Sequence, residues 1–166
     1  MRHPRHSTDQ AKVEVWQMPG QELSPEIVDG FLRLEGENIE FGMDWLNNLA
    51  AHAMPEESRN LLYTARNKSG ALVALPLNVL RDEARALSNW YTSLYSPLMT
   101  TRQPAPLFAA IFRQLASERI GSLTLSPLAE DGLARAGICE GLDAAGWRGS
   151  HTWPCFINWF HDTGPD

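Results

Sequence analysis

The stretch "ALSNWYTSLYSPLMTTRQPAPLFAAIFRQLA", residues 86–116, decides the fold because it joins a predicted strand to a predicted helix through one short turn. Its first part, residues 86–98, holds one tryptophan and two tyrosines, and aromatic residues favour a half-buried strand. Its last part places apolar residues at helical spacing, namely Leu107, Phe108, Ile111, Phe112 and Leu115. The turn between them contains two threonines, one arginine and two prolines. A helix N-terminus reached in this way is a common place for an anionic ligand.

Upstream of this stretch the sequence predicts a hairpin. Its strands span residues 61–67 and 71–80, and Gly70 in the connecting turn supplies a positive φ. Pro76 lies inside the second strand and cannot donate to a ladder, which predicts an edge strand or a bulge there. Residues 81–85 form the next predicted turn, so residues 86–98 become the third strand of a meander.

The remaining elements follow from apolar periodicity and turn residues. They are a strand at 13–18, a helix begun by Ser24 and Pro25, a helix at 42–54, a strand at 122–128, a helix at 129–145 and a last strand or hairpin at 152–160. A meander followed by a βαβ crossover predicts an α/β fold, or α+β in stricter usage. We therefore expect a mixed, mostly antiparallel sheet flanked by about four helices.

Composition excludes several classes of protein. With 14 basic and 20 acidic residues, the net charge is −6, and no basic block is present that would favour nucleic acid or an anionic membrane. No run approaches the roughly 18 apolar residues that cross a bilayer. We expect one domain over residues 12–161, with flexible tails at 1–11 and 162–166, in the cytoplasm. Two cysteines, Cys139 and Cys155, do not imply a disulfide framework.

The predicted element order resembles that of the GNAT N-acyltransferases. Four segments, "VALPL" (73–77), "LSNWYTSLYSPL" (87–98), "LTLSPLA" (123–129) and "AAGW" (144–147), are similar to the first half of the bacterial CelD-type, or cellulose-biosynthesis-type, acetyltransferases. Proteins of that group usually carry two GNAT-like halves, and the resemblance covers one of them. It implies a GNAT-like sheet and a transferase that moves an acyl group from acetyl-CoA, or another acyl-CoA, to a small-molecule amine.

The resemblance also implies a place for the cofactor. In GNAT enzymes the turn after the fourth strand usually reads Gln/Arg-x-x-Gly-x-Gly/Ala, and its N–H groups hold the coenzyme A pyrophosphate. Here Arg102 fits the first position, whereas Ala105 and Leu107 replace the two small residues. The implied cofactor-binding residues are Leu98, Met99, Thr100, Thr101, Arg102 and Ala105. Two prolines remove N–H donors from this turn, so an ordinary proline-rich helix start is the alternative.

Candidate catalytic residues come from the predicted third strand. Tyr91 and Tyr95 lie four residues apart, which on a strand points both to one face. They could orient the amine or protonate the leaving thiolate, or they could be structural aromatic residues of a half-buried sheet. Cys139 is expected to be a small core residue. No metal site is predicted, because His151 and Cys155 lack a second pair at metal-binding spacing.

Two functions therefore remain open at this stage. The first is an acyl-CoA-dependent N-acyltransferase. The second is a non-catalytic GNAT-like module that binds a protein partner, as a homodimer or by pairing with a second GNAT half to complete a two-half acyltransferase. The missing glycines of the cofactor turn and the aromatic residues of 151–160 favour the second.

Overall fold

The computed structural model describes residues 11–154, and within them the chain forms one six-stranded sheet and four α-helices. The strands are β1 Lys12–Gln17, β2 Arg59–Arg66, β3 Leu72–Leu80, β4 Glu83–Ala86, β5 Leu98–Met99 and β6 Ser122–Thr124. The helices are α1 Pro25–Glu35, α2 Met43–His52, α3 Ala105–Ser117 and α4 Leu133–Ala145, with a 3-10 helix at Ile39–Phe41. The predicted mixed fold class is confirmed.

The sheet is built around β3. Its strand order is β1-β2-β3-β4-β6, and every pairing along it is antiparallel except that of β4 with β6, which is parallel. On one side, β3 pairs with β2 from Leu72 to Val79. On the other side it pairs with β4 through residues 77–80 and with β5 through residues 73–74, which leaves residues 75–76 without a strand partner there.

Helices cover both faces of the sheet, which explains why β3 is a nearly continuous apolar run. Side chains alternate along the strand: Val73 and Leu75 face α3 and α4, whereas Leu72 and Ala74 face α1 and α2. Each face therefore has its own core. The helices α3 and α4 line one core, and α1, α2 and Met18 line the other.

Pro76 lies in the centre of the sheet, so the prediction of an edge strand or a bulge was wrong. Its carbonyl accepts hydrogen bonds from the backbone N of Leu87 (3.1 Å) and from the phenol of Tyr95 (2.9 Å), both on the side away from β2. Because the N and C=O of a strand residue point to the same edge, the nitrogen of Pro76 faces the gap between β4 and β5. No ladder bond is lost, and the proline is tolerated.

Local signals place the start of α1 correctly, whereas α4 begins at Leu133 and not at the predicted residue 129. Pro25 occupies the first position of α1 and Glu26 its first turn, as predicted. The carbonyl of Ser24 accepts hydrogen bonds from Ile27 N and Val28 N, but its hydroxyl forms no capping bond. The predicted helix start is therefore confirmed, although the Ser24 side chain does not cap it.

Two further predictions can be compared only with the residues that the structure describes. No helix within residues 11–154 is long and apolar enough to cross a membrane. Residues 152–154 of the predicted last strand have no regular structure, and its residues 155–160 lie outside the described range, as do Cys155 and most of the predicted tails.

Candidate functional site

The segment between β4 and β5, residues 87–97, is not the strand that its aromatic content predicted. Strand β4 ends at Ala86, the last backbone bond to β3 before the excursion is that of Leu87 N, and the chain pairs with β3 again at Leu98. Within the segment, Asn89 and Thr92 bond to the backbone instead of a ladder: Asn89 Oδ1 accepts from Tyr91 N (2.9 Å), and Thr92 Oγ1 accepts from Asn89 N (3.1 Å). Such side-chain bonds compete with strand pairing, which is why the prediction failed.

Tyr95 fills the gap that this excursion leaves in the sheet. Its side chain is buried, its hydroxyl donates to the carbonyl of Pro76, and its backbone N donates to the carbonyl of Pro127 (2.6 Å). Burial raises the pKa of the Tyr95 phenol well above its usual value. A phenol in this state is a poor proton donor, and it lies in the core.

Tyr91 lies in the opposite environment. Its side chain is 82 % exposed, and that of its neighbour Trp90 is 101 % exposed. The expectation that Tyr91 and Tyr95 share one face was wrong, because residues 89–92 form a turn that reverses the chain between them. The structure therefore does not bring the two candidate catalytic tyrosines together.

Residues 89–93, here called the aromatic turn, are attached to the 3-10 helix by one carboxylate. Glu40 Oε2 accepts hydrogen bonds from Ser93 N (2.8 Å), Ser93 Oγ (2.7 Å) and Leu94 N (3.4 Å). Hydrogen bonds to an ionised acceptor are stronger than neutral ones. Sequence analysis missed Glu40, and no local signal could have revealed a partner 53 positions away.

The predicted cofactor turn begins inside the sheet. Leu98 is buried against α1, where an added Cβ on Gly30 would lie 2.6 Å from its Cδ2, and Met99 pairs with Val73. The backbone N of Thr100 donates to the carbonyl of Leu72 (2.9 Å), and its hydroxyl accepts from Leu72 N (2.8 Å). The polar groups of Thr100 are thus occupied by β3.

Residues 100–104, here called the threonine turn, keep some free donors. Thr101 Oγ1 accepts from Gln103 N (3.1 Å), and Arg102 is exposed and makes no hydrogen bond or ion pair with the described residues. Among the residues that the structure describes, the backbone N–H groups of Thr101, Arg102 and the following Ala105 have no hydrogen-bond partner. These groups could hold an anion at the start of α3.

Helix α4 covers the first turn of α3 closely. An added Cβ on Gly137 would lie 2.5 Å from Pro104 Cγ, and one on Gly141 would lie 3.1 Å from the carbonyl oxygen of Ala105. Pro104 is consequently buried under α4. The spacing of the two glycines, i and i+4 on a helix, was a signal for this contact that sequence analysis did not use.

A cavity of about 300 Å³ lies beside Thr100, between α1 and the β2–β3 hairpin. Its charged lining consists of Glu26, Asp29, Arg33 and Arg66. Arg66 donates to Glu26 at 2.8 Å, and this hydrogen bond and its charge lower the pKa of Glu26. Among the six predicted cofactor residues, Thr100 alone lines this cavity, so the cavity does not extend along the threonine turn.

The remaining candidate residues, Cys139 and His151, are both exposed. Cys139 is exposed, so its placement in the core was wrong: Ile138 turns inward, and the next residue on the helix points away. His151 is exposed beyond α4. Among residues 11–154, no group of three or more His, Cys, Asp or Glu side chains is arranged to hold a metal ion.

Comparisons of the chain with protein-family models, with curated proteins and with solved structures found no match. The resemblance to GNAT acyltransferases is therefore an interpretation of the sequence segments and the element order given above.

Proposed function

We propose that this chain is a non-catalytic GNAT-like module that acts by binding a protein partner. The resemblance to two-half acyltransferases implies that the partner is another GNAT-like half. The observation that carries this proposal is the position of Tyr95, whose phenol occupies the gap beside Pro76.

The gap matters because an acyl thioester would lie there in a GNAT-type reaction, beside the strand that ends at Leu98. A backbone N–H of that strand would then stabilise the oxyanion. In this chain residues 87–97 form no strand before Leu98, and Tyr95 fills the gap beside Pro76. The residues around the gap therefore do not fit the acyl end of the cofactor, and we derive no chemical step there.

The exposed residues favour partner binding. Trp and Tyr carry most of the binding energy in many protein interfaces, and the aromatic turn exposes one of each. Its hydrogen bonds to Glu40 hold the turn before any partner arrives, which lowers the entropic cost of binding.

A second candidate function, the acyl-CoA-dependent N-acyltransferase, is favoured by one specific observation. The exposed guanidinium of Arg102 and the unbonded N–H groups of Thr101, Arg102 and Ala105 lie at the start of α3, where the helix dipole favours a phosphate. The acyl-CoA cofactor and its small-molecule amine acceptor remain predictions of this candidate.

Isothermal titration of acetyl-CoA and of free coenzyme A into the protein separates the two functions. The module proposal expects no heat and no change in melting temperature at millimolar ligand. Micromolar binding that is lost in Arg102→Ala, and kept in the control Arg148→Ala at another exposed arginine, would replace it with the acyltransferase candidate.

A further inference from the structure

The cavity beside Thr100 is lined by equal numbers of acidic and basic side chains. Glu26, Asp29 and Arg33 lie on one face of α1, and Arg66 comes from the end of β2. Two carboxylates and two guanidinium groups leave the lining with no net charge. A phosphate or a polyamine would meet repelling groups there as well as attracting ones. The lining therefore favours a small ligand whose own charges also sum to zero.

One of the two possible charge pairs is already formed within the protein. Arg66 donates to Glu26 at 2.8 Å, and this bond joins β2 to α1, two of the elements that border the cavity. The bond helps to hold these elements in place before a ligand arrives, which lowers the entropic cost of binding.

The other two charges have no partner. Asp29 and Arg33 lie four residues apart on α1, a spacing at which an acid and a base can pair, yet they form no ion pair with each other. Among the residues that the structure describes, neither side chain forms any hydrogen bond or ion pair. The cavity therefore offers one unpaired carboxylate to a cation and one unpaired guanidinium to an anion.

The rest of the cavity limits the size and the polarity of a ligand. Its volume of about 300 Å³ is at the lower end of the range for small-molecule sites, roughly 300–1,000 Å³. The side chain of Leu72 adds an apolar contact, and the hydroxyl of Thr100 is bonded to the backbone of Leu72. Beyond the two unpaired charges, the lining thus suits an alkyl group better than a further charged group.

We propose that this cavity binds a free α-amino acid, whose carboxylate pairs with Arg33 and whose ammonium group pairs with Asp29. An α-amino acid carries both charges on one carbon, which suits two partners that lie about one helical turn apart. A guanidinium also binds a carboxylate through two parallel hydrogen bonds. Because both side chains are exposed, water screens the contacts, and we expect millimolar affinity. No residue of the aromatic turn lines the cavity, so this proposal goes beyond the partner-binding function and does not rest on it.

A titration followed by ¹H–¹⁵N correlation NMR tests the proposal, with L-alanine as the probe. Propionate and ethylammonium each carry one of its two charges and are the control ligands at matched ionic strength. We expect L-alanine to cause saturable shifts of the amide signals of α1 and of residues 66–72, and each control ligand to bind at least fivefold more weakly. No saturation with L-alanine, or equal affinity for either control ligand, overturns the proposal.

Two variants that remove a charge test the assigned contacts. Asp29→Asn and Arg33→Gln should each weaken the binding of L-alanine at least fivefold, and the same spectra check that the fold is kept. The matched controls are Asp44→Asn in α2 and Arg148→Gln after α4, exposed residues outside the lining whose variants should bind L-alanine normally. Affinity that is unchanged in Asp29→Asn and in Arg33→Gln contradicts the proposed contacts. The coenzyme A titration tests the proposed function separately, since neither result determines the other.

Discussion

The aromatic turn and the threonine turn are each shaped by a side-chain oxygen that accepts from a backbone N–H two residues later. Asn89 accepts from Tyr91 in the first, and Thr101 accepts from Gln103 in the second. Their surroundings differ. Helix α4 covers the second turn and buries Pro104, whereas Trp90 in the first is fully exposed. Similar local chemistry thus occurs in one turn that a helix partly covers and in another that is open to solvent.

The largest expected effect tests how closely α4 must cover the threonine turn. Gly141→Val should lower the free energy of unfolding by about 3 kcal/mol, because its Cβ would lie 2.8 Å from Phe108 Cβ and 3.1 Å from the backbone N of Ala109. Urea unfolding measures the change. Gly121→Ala is the control and should change little, because the nearest atom to its Cβ would be Asp82 Oδ2 at 3.7 Å, an ordinary contact distance.

The second largest effect compares Tyr95 with Tyr91, which both lie in the segment of residues 87–97 between β4 and β5. Tyr95→Phe should cost about 1.5 kcal/mol, since it removes the buried bond to the Pro76 carbonyl. Tyr91→Phe should stay within about 0.5 kcal/mol, because the Tyr91 side chain is exposed. Equal costs in thermal unfolding would mean that the phenol of Tyr95 does not hold the gap.

Alkaline pH should reveal the same buried phenol. Its folded-state pKa is raised, so the stability that its neutral form contributes is present below about pH 10 and is lost as the pH rises further, by about 1.4 kcal/mol per unit. Urea unfolding at pH 9 and 11 should show a smaller loss for Tyr95→Phe than for the wild type. Equal losses of unfolding free energy in the two proteins would show that the pKa of Tyr95 is not raised in the folded state.

The smallest effect concerns the attachment of the aromatic turn. Glu40→Ala should cost about 1 kcal/mol and expose the N–H groups of Ser93 and Leu94 to faster hydrogen exchange. Glu37→Ala, at an exposed acid before the 3-10 helix, is the matched control. Unchanged exchange at Ser93 and Leu94 would argue that other contacts hold the turn.

Most of the fold could be predicted because it depends on local patterns. The hairpin turn at Gly70, the start of α1 at Pro25 and the apolar spacing of α3 each act over a few residues. The sheet around β3 then follows, since its continuous apolar run requires cover on both faces.

The candidate site was harder to predict because distant residues determine it. The pairing of Glu40 with Ser93 and of Tyr95 with Pro76 leaves no trace in periodicity. Aromatic content alone therefore made residues 87–97 resemble a strand. The cover that α4 provides could have been anticipated from Gly137 and Gly141, whose spacing allows two helices to approach closely.

Pro76 also has a consequence for aggregation. A sheet that is interrupted on one side of its central strand would normally offer unpaired N–H groups, onto which a strand of another molecule could add. At the gap beside Pro76 there is no N–H to offer. If the excursion of residues 87–97 opens transiently, the exposed centre of the sheet is therefore a poor template for fibrils, which protects a partly unfolded chain while it refolds.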